Sequence, residues 1–177
     1  MRFVDFLKTT VLLNAAAATA LAAVAVIGAG NRGDTRAAII SIAVWLVATL
    51  VGLRLGRRAE TNPPIARLLR AAKATTTMPA HRPGAILLNR LWPLLLYTVA
   101  SGALAFLAPQ IPGIAAGLPI ILALSWRRQD AAVAAIEERD GMQFFVMRTS
   151  PMRPIALERT PGFKAIRPEQ LVNGAPH

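Results

Sequence analysis

Three carboxylates fall within four positions at Glu137, Glu138 and Asp140, the densest acidic group in the chain and the first place to look for acid–base or cation chemistry. Arg127, Arg128 and Arg139 surround them. That mixture is the signature of a solvated, charge-compensated helix face rather than of a paired-carboxylate site, so a solvated pattern is expected. The two histidines, His81 and His177, have no second ligand at metal spacing. Cysteine is absent, which excludes thiolate catalysis and disulfides. No serine lies in a nucleophile-elbow context, and no glycine-rich run has the form that cradles phosphate. The expectation is a protein that is not an enzyme and uses no cofactor or metal.

A second group consists of polar side chains inside apolar runs: Asn14, Tyr97, Thr98 and Ser101. They can hydrogen-bond from helix to helix, at about 1 kcal/mol each, or line a solute path. Transporters driven by protons or ions keep an ionisable side chain at membrane depth. None occurs between Thr9 and Gly30, between Ala37 and Leu53 or between Leu91 and Trp126. Asn14 is therefore read as a packing residue, together with the Gly52/Gly56 and Gly113/Gly117 pairs, whose small-xxx-small spacing permits close helix approach.

The elements that must position these groups follow from composition. The chain is 54% hydrophobic and only 16% charged, with a mean hydropathy of +0.46, well outside the usual range of soluble domains. It reads as an integral membrane protein. A net charge of +11 is compatible with nucleic acid, but the basic residues flank apolar runs and lack aromatic interleaving, so no nucleic-acid partner is expected. All but three of the 20 basic residues are Arg and alanine is abundant, which points to a GC-rich bacterial genome.

The expected fold is an all-α polytopic membrane protein: four transmembrane helices as two hairpins, with a small cytoplasmic β-hairpin-like tail. The membrane region covers residues 1–126, with spans at about 10–29, 37–53, 87–107 and 111–126, the first long enough to cross a hydrocarbon core of roughly 30 Å and the last short for a crossing. The first span is thin and alanine-rich, suited to close packing. It is longer than a signal-peptide core, so retention is expected. Pro109, Pro112 and Gly113 separate spans three and four, and Pro119 lies inside the short fourth span, for which a re-entrant hairpin is the alternative.

Orientation follows from charge. The Asn31–Arg36 connection has two basic residues and one acid, whereas Arg54–Arg90 has eight and one. The positive-inside rule places loop 54–86, and with it both termini, in the cytoplasm of a bacterial plasma membrane. Arg54, Arg57, Arg58, Arg67, Arg70, Lys73, Arg90, Arg127 and Arg128 are expected to meet anionic headgroups of the inner leaflet. Within the loop, Asn62 as cap, Pro63 and Pro64 in the first turn, and Ile65, Leu68, Leu69 and Ala72 on one face predict an amphipathic helix over 63–74.

Residues 127–177 form the cytoplasmic tail. Asp130–Arg139 is expected to prolong the last span as a helix ended by Gly141, and Asp140–Arg159 to fold as a hairpin. A two-stranded unit does not hold itself together in water. Phe144, Phe145, Met147, Ile155, Leu157 and Phe163 are therefore expected to bind a partner surface: the chain's own loop, the bilayer or another subunit. The expected role is a non-enzymatic accessory or scaffolding subunit of a larger membrane complex, partnered by lipid and by other membrane subunits or a homo-oligomer. The alternative is a small oligomeric transporter, flippase-like protein or channel.

Overall fold

The computed structural model describes residues 1–57, 61–75, 83–147, 149 and 155–161. Arg58, His81, Phe163 and His177 lie outside them. The fold is mostly helical with a small sheet. Helix α1 runs from Phe3 to Arg32, and its buried residues Leu7, Thr10, Asn14, Ala17, Leu21 and Ala25 recur every three or four positions along one stripe. It starts seven residues before the expected 10–29 span because Phe3, Val4, Phe6 and Leu7 are themselves buried in a core. Gly33, at a φ of 61°, closes α1 in the left-handed conformation and returns its N–H to Ala29 and Gly30. Asp34 then caps α2, Thr35–Leu55, its Oδ1 accepting from the Ala37 N–H at 3.0 Å. α1 and α2 are the two described helices long and apolar enough to cross a membrane.

Helix α3 covers Pro63–Arg70, shorter than the expected 63–74, because Lys73 and Ala74 form strand β1 instead. Asn62 does not cap α3 through its side chain: Pro64, at a position whose N–H such a cap would take, has none. The Asn62 N–H instead donates to Gln129 Oε1 at 2.8 Å. Helix α4 spans Pro83–Ala103 and tightens into a 3-10 turn over Leu104–Phe106. The segment expected as span four is two helices, α5 (Gln110–Ala115) and α6 (Gly117–Trp126), broken one turn before Pro119. Both pack chiefly on α1 and α2, which touch each other little. Helix α7, Gln129–Asp140, begins after a turn at Arg127–Arg128 and so is distinct from α6 rather than its continuation. Gly141 ends it at a φ of 63°.

Strands β2 (Met142–Val146) and β3 (Leu157–Pro161) pair antiparallel, with Phe144 opposite Arg159. The loop strand β1 joins β3 in parallel, Lys73 opposite Glu158, giving the order β1-β3-β2. The free edge of β2 meets the N-terminus: the Val146 N–H donates to the Met1 carbonyl at 3.0 Å, and Phe145 bridges Arg2. The hairpin is thus stabilised by a third strand and the chain start, the support that an isolated pair lacks.

Two regions follow. At the sheet end, Phe3, Leu7, Ile65, Ile86, Val133, Phe144, Val146 and Leu157 share one core drawn from α1, α3, α4, α7, β2 and β3. Beyond it the helices present a broad apolar exterior that includes Leu12, Ile39, Leu46, Leu50, Leu95 and Val99. Soluble monomers rarely expose apolar surface on this scale.

Candidate functional site

The seam between α2 and the α5–α6 pair is built on glycine. A methyl at Gly52 would stand 2.8 Å from Leu124 Cβ, and one at Gly117 3.1 Å from Val44 Cγ1. At Gly56 it would overlap the Leu124 carbonyl oxygen, and at Gly113 the Ser41 hydroxyl. All four glycines mark close helix approach, Gly52 and Gly56 against the backbone of the facing helix and Gly113 and Gly117 against its side chains. They belong to one seam, Gly52 and Gly56 on α2 and flanking turn, Gly113 and Gly117 on the broken helix facing it.

The break in that helix frees carbonyls, and aromatic side chains answer them. Pro119 has no N–H to donate to the Ala115 carbonyl. Tyr97 Oη on α4 donates to that carbonyl at 2.8 Å instead. Trp45 Nε1 on α2 donates to Gly113 O at 2.7 Å. Ser101 is buried one turn beyond Tyr97 on the same helix. The hydroxyls of Thr98, Thr10 and Ser41 donate to carbonyls four residues earlier in their own helices. Asn14 is only 5% exposed, and its Nδ2 donates to Thr10 O at 2.8 Å. Its Oδ1 has no hydrogen-bond partner among the described residues.

At the sheet end, Glu137 departs from the expected solvated pattern. It is 6% exposed, while Glu138 and Asp140 are open to solvent. Its Oε2 accepts from Arg2 Nη2 at 2.7 Å and its Oε1 from the Phe144 N–H at 2.9 Å. Two donors, one from the chain start and one seven residues on, offset the cost of burying the carboxylate. Of the acidic group, Asp140 pairs with Arg139, Oδ1 to Nε 2.8 Å, and this bond holds its carboxyl below the usual range. No group of three metal-capable side chains converges among the described residues.

The expected partner-binding residues divide. Phe144 and Leu157 are buried in the chain's own core, so they are structural rather than available to another protein. Phe145, Met147 and Ile155 are half-buried. Among the basic residues, Arg54, Arg57, Arg67, Arg70, Lys73, Arg127 and Arg128 are exposed. Arg128 reaches the Arg57 carbonyl at 3.3 Å, closing α7 onto the end of α2. Arg90 instead bonds the tail through the Thr149 hydroxyl, beside Asn89, whose Nδ2 donates to Thr149 O at 2.8 Å. The sequence reading missed that role, because Thr149 lies some sixty positions away.

The helices also leave concave apolar surfaces, one between α1 and α2 and another between α1 and α4. α1 and α4 diverge to leave a groove of about 500 Å³, with Leu13, Ala16, Ala17 and Ala20 on one wall and Leu91, Trp92 and Leu95 on the other. Comparison with protein-family models, with curated proteins and with solved structures finds no significant match for this chain.

Proposed function

We propose that the chain is a four-span protein of a bacterial inner membrane, with both termini cytoplasmic, that acts as a non-enzymatic accessory or scaffolding subunit of a larger membrane complex. The observation that carries this reading is the groove between α1 and α4. Its alanine wall admits a foreign helix at short distance, and Thr98, its polar lining residue, is already bonded to its own backbone. The exposed apolar belt supports membrane burial, and the basic loop supports the orientation. Phe145, Met147 and Ile155 offer a second contact for a partner at the sheet end.

Gentle purification followed by native mass spectrometry tests the reading. Co-purification of unrelated subunits is expected, and Ala16→Leu with Ala20→Leu, which fills the groove, should remove them without preventing insertion. Recovery as a pure homo-oligomer that moves solute across liposomes would instead establish the second reading, a small transporter, flippase-like protein or channel. The buried Asn14 Oδ1, unpartnered among the described residues, favours that alternative, since it offers a polar acceptor inside the bundle.

A further inference from the structure

The outer faces of α3 and α7 do not close on one another. Between them lies a cleft of about 690 Å³, walled by Asn62, Arg67 and Arg70 on one side and by Ala135 and Arg139 on the other. The same amphipathic pattern that turns Ile65 into the core turns Arg67 and Arg70 outward into this space. Three arginines from two helices therefore line one concavity, and no Asp or Glu is among its lining residues.

Arg139 has Asp140 as a partner, but Arg67 and Arg70 have no ion pair among the described residues. Like charges three positions apart on a helix repel, and a third cation across the cleft adds to the repulsion. An anion held between the helices removes it. Guanidinium groups match the oxygens of phosphate in fork geometry, and several together neutralise a dianion. The volume is large enough to take a phosphate with the rest of a small headgroup. We propose that this cleft binds a phosphomonoester, carried by a lipid headgroup or by a soluble molecule, with Arg67 and Arg70 as its principal ligands and Arg139 as the third.

The test is thermal unfolding of the full chain in neutral detergent, titrated with dioctanoyl phosphatidic acid, with glycerol 3-phosphate and with dioctanoyl phosphatidylcholine. A concentration-dependent rise in Tm with phosphatidic acid is expected, and none with phosphatidylcholine. The double variant Arg67→Gln/Arg70→Gln should raise the half-maximal concentration about tenfold or more, by loss of two charge-assisted contacts. Arg139→Gln should do so to a smaller degree, and Arg36→Gln, at the opposite end of the bundle, not at all. A matching rise with glycerol 3-phosphate assigns a soluble phosphate, and a rise with phosphatidic acid alone assigns a lipid. The proposal is overturned by no rise with either phosphate, by an equal rise with phosphatidylcholine, or by a response that Arg67→Gln/Arg70→Gln leaves intact.

Discussion

Arg2 and Glu137 form an ion pair, Nη2 to Oε2 at 2.7 Å, across 135 positions of sequence, and through it the first turn of α1 is tied to α7. The other oxygen of Glu137 holds the Phe144 N–H, so one carboxylate joins the chain start, the last helix and the sheet. Phe3, Val4, Phe6 and Leu7, which directly follow Arg2, lie in the sheet-end core.

Removing that carboxylate should loosen the whole end. Glu137→Ala is expected to cost about 2 kcal/mol, chiefly from leaving the buried Phe144 N–H without an acceptor. Arg2 is about half exposed, so Arg2→Ala should cost under about 1 kcal/mol. Glu137→Gln, which keeps an acceptor for Phe144, should fall between them. Denaturant titration of the purified protein ranks the three; equal losses for Glu137→Ala and Arg2→Ala would contradict the double role.

Tyr97 and Pro119 should be coupled. Tyr97→Phe leaves the Ala115 carbonyl without a donor and is expected to cost about 1 kcal/mol. Pro119→Ala restores an N–H four residues on, so in that background Tyr97→Phe should cost much less. A double-mutant cycle measures the difference directly. Strict additivity would show that the phenol is not compensating for the proline.

The glycine seam gives a graded series. Gly56→Ala and Gly113→Ala drive a methyl into an existing oxygen and should each lose about 1–3 kcal/mol. Gly30→Ala meets nothing within 4 Å and should be neutral or gain up to about 1 kcal/mol through helix propensity. Comparable losses at all three positions would mean that the close approach does not set the cost.

Topology can be read with single cysteines, because the natural chain contains none. With a membrane-impermeant maleimide on intact cells, Arg36→Cys should label and Lys73→Cys should label only after lysis. The reverse pattern would overturn the orientation argued from the basic loop.

The expectation for Phe144 changes most between sequence and structure. A dense apolar cluster in a charged tail called for a covering surface, and the chain supplies it through Ile65, Ala72 and the first turns of α1. The loop helix had the right face for this, since its 3.6-residue pattern placed Ile65 opposite Arg67. That β1 would leave the end of the same segment to pair with β3 had no local signal: two residues, Lys73 and Ala74, have no periodicity to read.

What the sequence determined by itself are the properties that add up residue by residue: apolar runs of spanning length, the excess of arginine in the 54–90 passage and the stop at Gly141, while the choice of Asp34 over Thr35 as the cap of α2 came from the structure. The proline positions marked the break at 109–113 and the proline inside the fourth apolar segment, but the split of that segment into α5 and α6 was not among the expectations. Tertiary structure alone decided which distant groups meet. Glu137 is buried because Arg2 and Phe144 converge on it, and the break before Pro119 is tolerated because Tyr97 and Trp45 lie across the bundle. Such pairings depend on how helices far apart in sequence come to lie beside one another, and local propensity has no term for that.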